Sequence, residues 1–436
     1  MKKTILSVLV GFSVASQAFA DDLYQVYQQA LQNDPATLKA QASRDAAFAS
    51  IGVSRSSLLP QISLGLSASR TGGDADSKSN GATLNLSQSL YSAANYSRLD
   101  RAELVASQAD AYLAVAQQDL IVRTVSNYFS VLQAQDDLEF AQAEKRAIER
   151  QLEQTSQRFA VGLTAKTDVH EAQALFDNAV ASEISARNAV EIQLEGLREI
   201  TGGYHQDLLV LDKQRFSAGD PSPTAVQDWL SIANDKNTQL MAANISVDIA
   251  KEDIDLAQTG HYPELSLTGR LSSTDTETNG VNDSGRNNTN YIGINLDVPI
   301  YAGGGTEAAV DVARENFIVD SQERERIHRS VVRDVRSNFY DVTASISRIK
   351  ALQQAVISAE SALSATEAGF DVGTRTIVDV LNSTRNLYDA KRNLASARYG
   401  YIISTLSLKL AAGTLTEQDV IDINRGLTEA QAVTNS

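Results

Sequence analysis

The chain is written twice, and that duplication constrains its fold more than any other feature. Phe159-Ala160-Val161-Gly162-Leu163 returns as Phe370-Asp371-Val372-Gly373-Thr374. Asp168-Val169 returns as Asp379-Val380, Ala186-Arg187 as Ala397-Arg398, and Gly202 as Gly413, every pair 211 positions apart. Upstream, Leu59-Pro60-Gln61-Ile62-Ser63-Leu64 matches Tyr262-Pro263-Glu264-Leu265-Ser266-Leu267 at an offset of 203, and Leu90-Tyr91-Ser92 matches Ile300-Tyr301-Ala302 at 210. The growing offset predicts a longer loop in the second copy. A repeat of this length is one structural unit made twice, each copy lacking the surface to bury its own apolar face.

Each copy reads alike. A helical segment (about 23–56; 224–259) leads into a proline-marked strand. Ile62, Leu64, Leu66 and Ala68 alternate with polar or small residues, as do Leu265, Leu267 and Leu271. A polar loop follows (71–81; 272–289), then a second alternating strand carrying Leu84, Leu86 and Leu90, or Ile292, Ile294, Leu296, Val298 and Ile300. A period of two puts apolar side chains on one face and polar ones on the other. Two hairpins, and so four strands, are expected. Tyr91, Tyr262, Tyr291 and Tyr301 stand near strand ends, the place of an interfacial aromatic belt.

Proline-free runs of about 66 residues follow each hairpin (95–160; 305–371), enough for a helix on the order of 100 Å. Apolar or small residues at 335, 339, 342, 346, 349, 352, 356, 359, 363, 366 and 370 keep the 3.5-residue spacing of a coiled-coil seam. Val161-Gly162-Leu163 and Val372-Gly373-Thr374 then reverse the chain into shorter helices (165–201; 375–412). Such a helix and the one before the strands, stacked end to end, match one long helix. Residues 203–223 read as a connector and 414–436 as a tail. The expected division is a signal peptide (1–20), a first repeat (21–223), a second repeat (224–413) and the tail, as one interwoven unit.

Composition narrows the setting. Lys2 and Lys3, the apolar Ile5–Val14 and Ala18-Phe19-Ala20 before Asp21-Asp22 form a cleavable secretory signal, too short to span a bilayer. Its removal leaves 36 basic residues against 54 acidic ones. An acidic surface repels phosphate, so nucleic acid is not an expected partner. Cysteine is absent, which excludes disulfides, thiolate metal sites and a cysteine nucleophile. No later stretch has the length and hydropathy of a transmembrane helix. An exported chain with alternating strands is then soluble, secreted or an outer-membrane β-barrel.

Four strands cannot close a barrel, and open strand edges cannot face lipid. If the strands cross a membrane, two, three or four protomers must pool them. Arg270, Asn85, Asn295 and Asp297 would then line a lumen. The competing readings are two small soluble sheets, or a secreted trimeric coiled-coil scaffold or adhesin whose hairpins pair only with each other.

The sequence also resembles the TolC-type outer-membrane efflux protein family. The carriers are Arg158-Phe-x-Val-Gly-Leu163, Thr167-Asp-Val169, Gly260-His-Tyr-Pro263 with Leu265, Val298-Pro-Ile-Tyr-x-Gly-Gly304, and Gly373-Thr-Arg-Thr-Ile-Val-Asp-Val-Leu381. The resemblance covers essentially the whole mature chain, in order. The resemblance implies a mainly α homotrimer with a small β part: a 12-stranded transmembrane barrel continued by a coiled-coil helical barrel across the periplasm. It implies a passive exit duct for multidrug efflux or type I protein secretion, served by a periplasmic adaptor and an inner-membrane pump. By position, Phe159, Val161, Gly162, Leu163, Thr164, Val372, Gly373 and Thr374 would be adaptor-docking tips. Asp168, with Thr167 beside it, and Arg375 would form a restraining link, and Asp379 an acidic ring. Phe370 stands where the family pattern has tyrosine, and Asn382 where it has a second aspartate. A closed state held by Arg375 and Asp168, with Asp379 alone carrying the acidic constriction, is therefore expected. The same aspartates also suit the first turn of a helix, where carboxylates complement the dipole.

Other signals are weaker. Gly303-x-Gly305-x-x-Ala308 with Glu323 satisfies the short dinucleotide fingerprint, but the preceding strand alternates and the helix is far too long for a crossover. The glycines fit a strand-to-helix corner better. Asp275-x-Glu277-x-Asn279-Gly280 resembles a calcium loop, yet its twelfth position is Arg286 and strands flank it. His170, His205, His261 and His328 have no metal spacing. No catalytic, cofactor or metal site is expected.

Overall fold

The computed structural model describes residues 21–72, 76–205, 207–278 and 285–429. The signal segment, Asn279-Gly280 of the calcium-like motif and the end of the tail lie outside them. The two copies share one element order. Helices α1 (Leu23–Asn33) and α2 (Pro35–Ser56) precede strands β1 (Gln61–Thr71) and β2 (Ser77–Tyr91). Then come α3 (Ala93–Ala160) and α4 (Lys166–Thr201). After the short strand β3 (Val210–Leu211), the second copy supplies α5 (Val226–Lys236), α6 (Thr238–Gln258), β4 (Glu264–Thr278) and β5 (Gly285–Asp297). It continues through α7 (Gly305–Asp371) and α8 (Ile377–Ala411), and the chain finishes with α9 (Glu417–Asn424) and β6 (Leu427–Thr428).

The single helical segment expected before each hairpin is broken in two. Asp34 (φ −64°, ψ 117°) and Asn237 (φ −65°, ψ 119°) are extended residues that end one helix and start the next. Each side chain accepts from a backbone N–H three residues on, Thr37 N at 2.8 Å and Leu240 N at 2.9 Å. A capping residue satisfies donors that the new helix leaves orphaned, so the kink carries little cost. The two joints are 203 residues apart, the offset of the proline-marked strands.

The hairpins are also longer than expected, because Thr71 and Ser77–Gly81 belong to strands, as do 272–278 and 285–289. Asp275 and Glu277 are thus strand residues, with Asp275 opposite Arg286. The hairpins join as one antiparallel sheet ordered β1-β2-β4-β5. Leu64, Leu84 and Leu271 stand in one row, and Ile62, Leu86, Gly269 and Ile292 in the next. That face holds most of the strands' exposed large apolar side chains, and nothing among the described residues covers it. Leu90 is a bulge, since the register shifts between Ser89 and Tyr91. Tyr91, Tyr262 and Tyr301 do lie at the helix-side ends of the strands. Tyr291 does not: it sits in the middle of β5, opposite Arg270, on the polar face.

Gly303 (φ +65°) and Gly304 (φ +81°) turn the chain from β5 into α7, a conformation that suits glycine. Along α7 the 3.5-residue seam is visible as burial. Val335, Val342, Ile346 and Ile349 are buried, and 352, 356, 359, 363, 366 and 370 are half-buried. Helix α4 returns along α3 and α8 along α7. The end of α8 meets the start of α6 end to end: Asn237 Nδ2 donates to Ala411 O at 2.9 Å, and Gly413 sits against the Lys236 carbonyl. Two short helices thus match one long one.

The connector and tail are not loose. Strands β3 and β6 pair, and α9 packs against α1. Leu23, Val26, Tyr128, Phe129, Leu132, Leu197, Tyr399 and Val420 form the main core at this level, midway along the helices.

Candidate functional site: the hairpin tips and the open-edged sheet

The residues singled out as a gate lie at two hairpin tips built alike. Helix α3 ends at Ala160, Gly162 turns the chain at φ +79°, and α4 begins at Lys166. Helix α7 ends at Asp371, Gly373 turns at φ +78°, and α8 begins at Ile377. Val161, Leu163 and Val372 stand 69%, 76% and 75% exposed, and Phe159 is exposed beside them. Thr374 Oγ1 donates to Gly369 O at 3.0 Å, bracing the second turn.

Asp379 is the third residue of α8. Its Oδ2 accepts from Thr376 N and from Thr376 Oγ1, both at 2.9 Å, and Asp379 N–H donates back to Thr376 Oγ1 at 3.3 Å. The backbone N–H of Thr376, then its hydroxyl, and the nearby Arg375 charge hold the Asp379 carboxyl below the usual range. Asp168 occupies the matching place in α4. It accepts from the Thr164 hydroxyl, from Ala165 N at 3.4 Å and from Thr167 Oγ1 at 3.4 Å. Both aspartates therefore cap helix starts.

The expected link from Arg375 to Asp168 is not formed within the protomer: the Asp168 oxygens are engaged by their own helix start. The contact that joins the two tips is instead Arg158. Its guanidinium lies 4.4 Å from the centre of the Phe370 ring, and Nη2 is 3.1 Å from Asp371 Oδ1. A phenylalanine at 370 is thus used as an aromatic face. The 211-residue pairing of the two tips brings Arg158 and Asp371 to one level, the signal that could have found this contact. Behind it, Ile148, Ala172, Ala179, Ile377 and Leu381 form a small core, with Phe370 packed on its edge. Asn382 is exposed one position beyond.

The sheet completes the site. Its middle strands are paired, but β1 and β5 each leave one edge open. Those edges run in opposite directions, so the β5 of one copy can continue antiparallel into the β1 of the next. Such a head-to-tail contact makes a ring if the rotation closes. No helix among the described residues is long and apolar enough to cross a membrane.

An amphipathic sheet that closes only by pooling copies, continued by two long helical hairpins, has the architecture of an outer-membrane channel-tunnel, and family membership sets the number of copies at three, giving a 12-stranded barrel and a helical tunnel in the periplasm. The chain belongs to the family described as Outer membrane efflux protein, which it matches over residues 26–203 and 229–414. It is 48% identical over 439 residues to the outer membrane protein TolC of Vibrio cholerae, covering 99% of this chain and 100% of that one. It is 30% identical over 421 residues to the alkaline protease secretion protein AprF of Pseudomonas aeruginosa, covering 92% and 86%. The solved structure of CusC superposes with a TM-score of 0.78 at 17% identity, covering 95% of this chain and 98% of that one. The function is that of an outer-membrane exit duct, not of a secreted scaffold.

Proposed function

We propose that the duct is gated at its periplasmic end by the two tips, and that the same tips receive a periplasmic adaptor coupled to an inner-membrane pump. Cargo ranges from small molecules to secreted polypeptide, in keeping with the likeness to both an efflux protein and a protease secretion protein. The chain supplies the passage and the energised partner supplies the work.

One observation carries this reading. Two turns of matching backbone present exposed Val161, Leu163 and Val372 directly beside the aspartates that start the returning helices. Exposed apolar residues on a pair of rigid tips are a docking feature, for which burial against a partner is the usual reward. Phe159, Gly162, Thr164, Gly373 and Thr374 shape the same surface. Arg375 is exposed and makes no ion pair with Asp168 in its own chain, so the restraint belongs to the boundary between protomers, Arg375 of one copy against the acidic start of α4 in the next. Thr167 and Phe370 flank that contact. The Asp379 carboxylates form the acidic ring, with Asn382 adding no charge.

Single-channel recording tests the gate. The double substitution Arg375→Ser with Asp168→Ala is expected to raise conductance severalfold over wild type in planar bilayers. Equal conductance would remove the gate while leaving the duct intact.

A further inference from the structure

The polar face of the sheet lines the lumen, and it is nearly uncharged. Ser63, Asn85, Arg270 and Tyr291 share one row across β1, β2, β4 and β5. The next row toward the loops is Gly65, Thr83, Ser272 and Thr289, and the next toward the helices is Gln61, Ser87, Thr268 and Gly293. Between the Glu264–Asp297 pair at the helix-side rim and the loop ends, Arg270 is the sole ionised side chain on this face among the described residues.

That arginine is held in place but not neutralised. Its Nε donates to Asn85 Oδ1 at 3.0 Å, which fixes the plane of the guanidinium. Neither terminal amino group has a protein partner among the described residues. Beside it, the Tyr291 ring lies down over Gly293: a Cβ added there would come within 2.1 Å of the phenol oxygen. Laying an aromatic ring over a strand glycine covers exposed backbone and fixes the ring. The oriented fork and the flat ring border a shallow hollow of ≈ 640 Å³ that also includes Thr268 and Asn295.

We propose that this row is a binding shelf for aromatic carboxylates. The free edge of Arg270 takes the carboxylate through two parallel N–H donors, a geometry suited to a planar anion. The aromatic body rests on Tyr291, and Asn85 keeps the fork from rotating away. Three-fold symmetry repeats the shelf three times around the barrel. A 12-stranded wall is roughly 25 Å across at ordinary strand spacing and tilt. Screening acts over about 8 Å at physiological salt. The three cations therefore work as separate contact sites, not as one selectivity ring. In an acidic chain, the shelf gives anionic cargo a local foothold on a wall otherwise made of serine, threonine and asparagine.

Equilibrium dialysis of the detergent-purified trimer against fluorescent 2-naphthoate tests this. Uptake into micelles is linear in concentration and is subtracted with empty detergent. Wild type is expected to show a saturable component of three equivalents per trimer. Arg270→Gln should weaken it about fivefold, the upper range for an exposed charge pair. Arg270→Lys, which keeps the charge but loses the fork, should fall between the two. Neutral 2-naphthalenemethanol should lack the saturable component. Each variant is first checked for the intact trimer on a native gel, and the lysine variant serves if the glutamine one fails to assemble. Affinity for 2-naphthoate equal in wild type, Arg270→Gln and Arg270→Lys overturns the shelf, as does saturable binding of the neutral alcohol at equal strength. Neither result touches the gate, whose readout is current through the tips.

Discussion

Asp34 carries two contacts at one joint. It caps α2 through Thr37 and receives both terminal amino groups of Arg123 at 2.9 Å. The Arg123 fork, with further help from Thr37, holds its carboxyl down to about 2. A carboxyl depressed by folding adds stability above its unfolded value near 3.9 and loses it as pH falls through the folded one. The side chain is almost fully buried, so the contribution at neutral pH is on the order of 2 kcal/mol. Asp34→Asn is expected to lower the urea midpoint at pH 6. Between pH 4 and 2 the gap from wild type should narrow; a gap constant across that range would contradict the assignment. This residue was legible only in part. Pro35 is a local signal for the break, since proline cannot continue the preceding turn and pushes Asp34 out of the helical region, but the matching joint at Asn237 has no proline and leaves only its capping side chain to read. Arg158 was hidden for another reason: its partners lie in the other copy of the repeat, and pairing of that kind is written in the register between helices, not in either helix alone.

At the scale of elements, the long helices could be read directly. A seam at 3.5-residue spacing demands a partner helix over its whole length, and α7 is buried on that seam where α8 and its neighbours lie. The tips could be read because a glycine followed by a capping aspartate is a local signature. The β3–β6 pair and α9 could not, because two-residue strands have no period and their partner is more than 200 positions away. The sheet gives the sharpest test of faces. Ile294 points to the uncovered apolar side and Asn295 to the polar one. Ile294→Arg should cost the trimer roughly 2–4 kcal/mol, the penalty for a cation facing the bilayer midplane. Asn295→Arg should cost far less. Urea melting of the oligomer in lipid vesicles distinguishes them, and similar losses at both positions would mean that the sheet does not meet lipid on the side assigned.

For the whole molecule, charge and closure set behaviour. In the proposed gate, three Asp379 carboxylates gathered at one constriction would favour cations. Within each protomer Thr376 lowers the carboxyl, whereas like charges gathered in a ring oppose that shift, so the preference is expected in full at pH 7 and not in acid. Reversal potentials in a potassium chloride gradient should show Asp379→Asn less cation-selective than wild type at pH 7. An unchanged potential would place the selective segment elsewhere in the duct. The trimeric number itself was not legible from strand count, which allows any pooling of four. It came with family membership, whereas the need to pool follows from unpaired backbone alone.

The two unpaired margins of the sheet, on β1 and β5, have a consequence for how the duct is made. A lone subunit has two such margins, and so does a pair, because joining two copies consumes one margin from each and leaves the outer two. Only the third arrival abolishes them. Hydrocarbon therefore rejects every intermediate, and entry into the bilayer must coincide with ring completion, so the yield of finished ducts should climb steeply with the supply of free subunits at the membrane.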